Sequence, residues 1–221
     1  MHITALTLET IAHSDTGAVE YAFTPRRPLR FRAGQGGLLR VPGGGGTKPF
    51  TFSGDDRSGR LSIATTLASG SRFKQALADL RPGDRALAAG AVGTLPAVDP
   101  TEPQVLVAQG IGITPFLSMA RSHYSLNATL LQVGCAHFFD EVAASTATSE
   151  HHQHREGLQE AVRRAVADRP TARWSLSGRP GFVNALAAQL SNAGVPARRI
   201  HKDAFWGMRT RTASTSSPLA A

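Results

Sequence analysis

Sulfur and aromatic rings are scarce in this chain. One cysteine, Cys135, stands among 221 residues, which excludes an intrachain disulfide and any cysteine-ligated iron–sulfur cluster. No apolar run approaches the ~18–20 residues of a membrane-spanning helix, so no membrane span is expected. Met1-His2-Ile3-Thr4 offers neither the basic start nor the long apolar core of a secretory signal, and a cytoplasmic location is expected. Acidic residues are outnumbered, 16 against 24 basic ones, for a net charge of +8. The surplus is mostly arginine, with Arg26, Arg27, Arg30, Arg32 and Arg40 early and Arg198, Arg199, Lys202, Arg209 and Arg211 late. Such a charge suits nucleic acid, or else anionic cofactors and acidic partner proteins. No helix-turn-helix, zinc-finger or aromatic RNA-binding pattern accompanies it, so nucleic acid is not expected as a partner. What is present, 41% hydrophobic residues, is ordinary for a globular chain, and the length suits one large domain or two small ones.

The first half has a short-strand rhythm. Residues 3–10 and Val19–Phe23 alternate, and Leu29–Arg32, Leu38–Val41, Phe50–Ser53, Leu61–Thr66 and Arg85–Ala89 continue the pattern. Asp15-Thr16-Gly17, Pro25, Pro28, Gly34–Gly37 and Pro42–Gly46 punctuate it. Short strands at regular spacing predict a small antiparallel barrel or sandwich. Phe73, Leu77 and Leu80 fall on one face of a helix predicted from Ser71 to Leu80, which Pro82-Gly83-Asp84 ends. Residues 96–103, with three prolines, read as a linker.

The rhythm then changes. Strands are predicted at Val105–Ala108, Ala128–Gly134 and Arg173–Ser177, and again from Ile200. Helices are predicted at Phe116–His123, Gly157–Ala167 and Gly181–Ala193. That alternation predicts a parallel sheet with crossover helices. Val105–Ala108 is followed at once by Gly110 and Gly112, with Thr114 suited to cap a helix and Pro115 to open it. Strand, glycine turn and helix N-terminus form a ready site for an anion such as a pyrophosphate. The three-glycine dinucleotide fingerprint is absent.

Four segments in order, Lys48-Pro49-Phe50-Thr51-Phe52-Ser53, Gly70-Ser71, Gly90-Ala91-Val92-Gly93 and Gly110-Ile111-Gly112-Ile113-Thr114-Pro115-Phe116, resemble the ferredoxin–NADP reductase family. The resemblance spans roughly residues 3–207 and looks nearest to short bacterial members. It implies two domains: a Greek-key antiparallel β-barrel that binds FAD over 1–98, and an α/β NAD(P)-binding domain with a parallel sheet over 99–207. Residues 208–221, rich in serine and threonine, read as a disordered tail.

The family's Arg-x-Tyr-Ser/Thr signature reads Lys48, Pro49, Phe50 and Thr51 here. By resemblance Lys48 pairs with the flavin pyrophosphate, Phe50 packs on the ring system and Thr51 lies near the flavin's N5. Lysine keeps the charge without the bidentate fork, and phenylalanine keeps the face without the phenol. On the residues alone, Phe50 also reads as a core aromatic. Gly70 and Ser71 stand where the family binds the same pyrophosphate; Ser71 alone also reads as a helix cap. By the same resemblance Thr65 and Thr66 would lie beside the ribityl and adenosine arm. Gly34-Gln35 resembles the family's Pro-Gly-Gln turn, with Ala33 in place of proline.

For the nicotinamide cofactor the resemblance implies Gly110, Gly112 and Thr114, with Gln109 where the family has glycine. It also implies Ser177 close to the nicotinamide and Gly178 in the motif Ser177-Gly178-Arg179-Pro180, where Arg179 replaces a proline. By resemblance Phe205 and Trp206 match the terminal aromatics that cover the flavin; on the residues alone each also reads as a core aromatic anchoring the last strand. Ser149 and Arg155 are candidates for a 2′-phosphate, leaving NADPH or NADH open. His151, His152 and His154 read as a polar loop rather than a metal site, and Cys135 as structural.

The function implied is an FAD-dependent NAD(P)H oxidoreductase that delivers electrons to a redox protein such as a ferredoxin, flavodoxin or oxygenase component. The resemblance implies that Thr51 and Ser177 stand nearest the reacting atoms. Lys48, Gln109 and Arg179 each alter a cofactor motif, so the alternative is a family member that keeps the fold as a binding or regulatory protein without turnover.

Overall fold

The computed structural model describes residues 3–93 and 95–204. The calls on Phe205, Trp206 and the 208–221 tail lie outside the described residues.

Seven elements build the first unit: strands β1 (Ile3–His13), β2 (Ala18–Pro25), β3 (Gly36–Arg40), β4 (Thr47–Thr51) and β5 (Leu61–Thr66), helix α1 (Arg72–Ala78) and strand β6 (Arg85–Val92). The strands run in the order β4-β3-β6-β1-β2-β5, and every pairing is antiparallel. Period-two alternation sends Leu6 and Leu8 inward from β1, to meet Tyr21, Phe23 and Ile63. Phe73 and Leu77 of α1 close one end of this core. Among the described residues no ladder joins the edge strands β4 and β5; an isolated bridge links Phe52, just past β4, to Ile63 of β5. The sheet is therefore curled like a barrel without full closure. Leu29–Arg32, expected as a strand, has no strand structure. Phe31 instead packs edge-on against Phe52, with ring centroids 4.8 Å apart. Burial of one aromatic, not strand pairing, shapes that segment.

The second unit is a five-stranded parallel sheet: β7 (Gln104–Gln109), α2 (Thr114–Ser122), β8 (Leu126–Val133), α3 (Phe139–Ala143), β9 (Thr146–His152), α4 (Arg155–Asp168), β10 (Arg173–Gly178), α5 (Pro180–Asn192) and β11 (Ile200–Ala204). The order is β11-β10-β7-β8-β9. Sequence reasoning missed α3 and β9. Helix α3 has five residues, too few for a helical period to show. Strand β9 is a sheet edge with no fully buried residue, so no apolar alternation marks it, and the expected polar loop after Ser149 is in part this strand.

Helix α2 joins the units. Ser118, Arg121 and Ser122 share one helical face and meet the 53–56 loop of the first unit. Ser118 Oγ donates to Gly54 O (2.7 Å), and Asp56 N donates to Ser122 Oγ (3.1 Å). Ala33 and Leu95, from outside the parallel sheet, pack into the cluster of Leu106, Phe116 and Met119.

Candidate functional site

Strand β4 carries Lys48, Pro49, Phe50 and Thr51 beside α1 and β5. Phe50 is half-buried and stacks on Phe73, with centroids 5.5 Å apart. It is therefore anchored in the core and also faces outward. Lys74 of α1 holds its Nζ 5.2 Å from the Phe50 ring centroid and donates to the hydroxyl of buried Thr65. Burial pushes the Lys74 ammonium down to about 8. Ser71 is the helix cap, its hydroxyl accepting the Lys74 backbone N–H at 3.4 Å. Gly70 precedes it with φ of +56°, and Thr66 is half-buried at the end of β5. The Ala33–Gln35 turn is held by Arg32 N donating to Gln35 Oε1 at 2.9 Å and by Ala33 N donating to Asp56 Oδ2 at 2.9 Å. A broad groove of about 690 Å³ follows on the outer side of α1, with Arg40, Arg72 and Arg85 on its walls.

In the second unit the chain runs from β7 outward to β8 and β9, then returns to the other side of β7 as β10. The C-terminal ends of β7 and β10 are thus the point where strand order reverses, the place where such sheets receive ligands. Gly110, Gly112 and Gly178 all lie there. A Cβ on Gly112 would sit 2.7 Å from Ser177 O, and one on Gly178 would sit 2.8 Å from Gln109 Cβ. At Gly112 main chain meets main chain and only glycine fits, while at Gly178, with φ of +153°, the neighbours are the Gln109 and Phe182 side chains.

Thr114 does not cap the helix as expected. A 3-10 turn at Gly110–Ile113 runs straight into α2, the cap position falls on Ile113, and Thr114 is already helical and buried. The glycines wind the chain four residues early, so the turn and the helix are continuous.

Gln109 folds back to accept the Arg179 N–H at 3.3 Å, at the start of α5. Gln132, fully buried at the end of β8, points its amide nitrogen at three carbonyls: Gly110 and Cys135 at 3.1 Å and His137 at 3.2 Å. One side chain thus ties the loop after β7 to the loop after β8. A cavity of about 340 Å³ opens alongside, lined by Gln109, Gly134, His154 and Arg155 among others. Arg155 is in this cavity. Ser149 is exposed on β9, three residues and about 10 Å of strand from its end, and does not line it. His151 bonds Gly134 O at 2.6 Å, and His152 faces Glu150 at 3.4 Å. Among the described residues no three His, Cys, Asp or Glu side chains gather as metal ligands.

The two units converge on Asp203 of β11. Burial drives its carboxyl up to about 6, against the opposing effect of the Thr51 and Ser177 hydroxyls. Thr51 comes from the first unit and Ser177 from the second. Both hydroxyls are near enough to steady the charge, yet Ser177 Oγ and Asp203 Oδ2 are buried with no partner at hydrogen-bond distance among the described residues. Buried polar atoms in that state call for a partner such as a water or a bound group.

Nearby, Arg121 pairs with Glu20 of β2 at 2.5 Å and with Glu141 at 2.7 Å, and also donates to Ser53 O at 3.1 Å. Burial opposes its charge, but the two carboxylates outweigh that and push its pKa up. Sequence reasoning gave no role to Asp203, Lys74, Arg121 or Gln132. A polar residue inside an apolar strand was the available signal for Gln132, and a lysine between Phe73 and Leu77 was the signal for Lys74.

No protein-family model matches the sequence, and no curated protein matches it. Solved structures do match. A ferredoxin NADP+ reductase from Neisseria gonorrhoeae, with bound FAD and NADP, has a TM-score of 0.76 and 17% identity, covering 93% of this chain and 100% of that one. The Amycolatopsis cytochrome P450 reductase GcoB has a TM-score of 0.74 and 22% identity, covering 92% of this chain and 70% of that one. Phthalate dioxygenase reductase, a modular structure for electron transfer from pyridine nucleotides to a 2Fe-2S centre, has a TM-score of 0.75 and 22% identity, covering 95% of this chain and 70% of that one. The chain has the fold of these reductases.

Proposed function

We propose that the chain is an FAD-dependent NAD(P)H oxidoreductase that passes electrons to a redox protein, in the cytoplasm. The observation that carries this reading is the meeting of Thr51, Ser177 and Asp203, one hydroxyl from each unit on a shared buried carboxyl. Unpartnered Ser177 Oγ and Asp203 Oδ2 fit a site completed by a bound group. A flavin, when bound, supplies hydride acceptance and the release of electrons singly or in pairs.

The chain's residues hold and shield that chemistry. Lys48 and Ser71 take the pyrophosphate, and Thr65 and Thr66 flank the ribityl and adenosine arm. Phe50 offers a face to the ring system from a position fixed by Phe73. Gly110, Gly112, Thr114 and Gly178 shape the nicotinamide side. Asp203 keeps a proton between Thr51 and Ser177 in neutral solution more readily than an ordinary carboxyl. Arg155 in the cavity beside Gln109 supports NADPH, with NADH the other candidate; Ser149 enters only if β9 shifts. Phe205 and Trp206 remain the proposed ring cover. The net charge of +8 supports an acidic acceptor, of the ferredoxin, flavodoxin or oxygenase-component kind.

Purified protein titrated anaerobically with NADPH and NADH tests this. Flavin absorption that bleaches on addition is expected, and failure to take up added FAD overturns the reading. One observation favours the non-catalytic alternative: Gln109 occupies the strand-reversal point and is bonded to Arg179 N. On that alternative the protein binds FAD but is not reduced, and Gln109→Gly restores reduction.

A further inference from the structure

Among the described residues, no carboxylate neutralises the Lys74 ammonium. Its partners are a hydroxyl, Thr65 on β5, and the ring of Phe50 on β4. Neither carries charge. Burial is the cause of its lowered pKa, and no carboxylate contributes. Among the described residues no salt bridge includes it, although Arg121, Arg164 and Arg173 each find a glutamate. An ammonium taken from water without an anion is costly, and such costs persist where a ligand repays them. Lys48, two residues before Phe50, lies on the same face of β4 by strand alternation. Cations from β4 and α1 therefore flank one aromatic ring.

We propose that Lys74 is the countercharge for the diphosphate of the bound dinucleotide flavin, held in the barrel before the cofactor arrives. This rests on the flavin reading of the barrel and adds a residue that no motif marks. Lysine at 48 lacks the fork of an arginine, and Lys74 supplies the missing charge from the helix side. With ammonium and diphosphate together, the proton on Lys74 is held more tightly in the complex than in the free protein. FAD affinity is then constant below neutral pH and falls as pH rises above about 8. The groups facing Lys74, Thr65 and Phe50, do not titrate in that range, and the FAD diphosphate stays ionised throughout.

The test is fluorescence titration of wild type, Lys74→Met and Lys74→Arg with FAD, ADP and riboflavin. Lys74→Met is expected to weaken FAD and ADP together by about tenfold to a hundredfold, the value of a charge-assisted hydrogen bond. Riboflavin, which has no phosphate, is expected to bind equally to both, and Lys74→Arg to retain most of the FAD affinity. Unchanged FAD and ADP affinity in Lys74→Met overturns the proposal and leaves the flavin reading intact. Loss confined to riboflavin also overturns it, since Lys74 would then serve the ring. Wild type that binds neither FAD nor ADP overturns both. Should Lys74→Met not fold, wild-type FAD affinity that is flat from pH 7 to pH 9.5 overturns the proposal by itself.

Discussion

Replacing Asp203 with asparagine is expected to stabilise the protein, and only above the pH at which the carboxyl of the unfolded chain ionises. The folded chain holds this carboxyl at about 6 against an ordinary value of 3.8. Its folded pKa is raised, so the native state binds more protons than the unfolded state between those values. Stability from this group is complete below 3.8 and is lost as pH rises through about 6. The interval is worth about 3 kcal/mol at about 1.4 kcal/mol per pH unit. Asparagine at this position keeps the shape and removes the charge. The variant is therefore expected to exceed wild type by about 3 kcal/mol at pH 7.5 and by about half of that at pH 5. Guanidinium denaturation without added cofactor, followed by fluorescence, reads this out, because Trp174 is 1% exposed in the core of the parallel-sheet unit. Equal stability of the two proteins at pH 7.5, or the same pH slope in both, refutes the reasoning: the carboxyl would then be hydrated.

Two other perturbations test the frame around the site. Gly112→Ala pushes a methyl into the main chain of Ser177 and Gly178, which cannot rotate away. A loss of about 1–3 kcal/mol is expected, with weaker NAD(P)+ binding, and an unchanged melting temperature would contradict it. Arg121→Met strands Glu20, whose side chain is 14% exposed, and is expected to cost about 3 kcal/mol. Adding Glu20→Met removes the stranded charge and recovers part of that loss in thermal melts; a double variant less stable than the single one would sink the argument.

Much of the fold was legible where burial leaves a periodic trace. The apolar run Val105–Ala108 and the alternation in Leu61–Thr66 became β7 and β5, and the change from short strands to alternating strands and helices marked the two units. Legibility failed where burial is slight or the element is short, as in β9 and α3. It failed differently at Leu29–Arg32, where one inward aromatic, Phe31, imitated a strand. The ligand-binding turn after β7 was readable from Gly110 and Gly112, which lie two residues apart in sequence. Asp203 was not readable in the same sense. Its environment is assembled from residues 51, 177 and 203, on three strands of two sheets, and desolvation of a carboxyl has no local sequence signature. Thr114 failed for a local reason: it suits a cap, but the 3-10 turn before it had already begun the helix.

The packing of Ala33 and Leu95 against Leu106, Phe116 and Met119 bears on how such a chain can change over time. The parallel-sheet unit does not own its whole interior, since part of it is lent by segments that precede its first strand. Severed before β7, it would present raw apolar surface in place of Leu95. Recombination that exchanged one half for a stranger's would have to carry those two side chains along or invent replacements. The two halves are thus bound to be inherited as a pair, and novelty in this architecture enters more easily at its outer loops than at the seam.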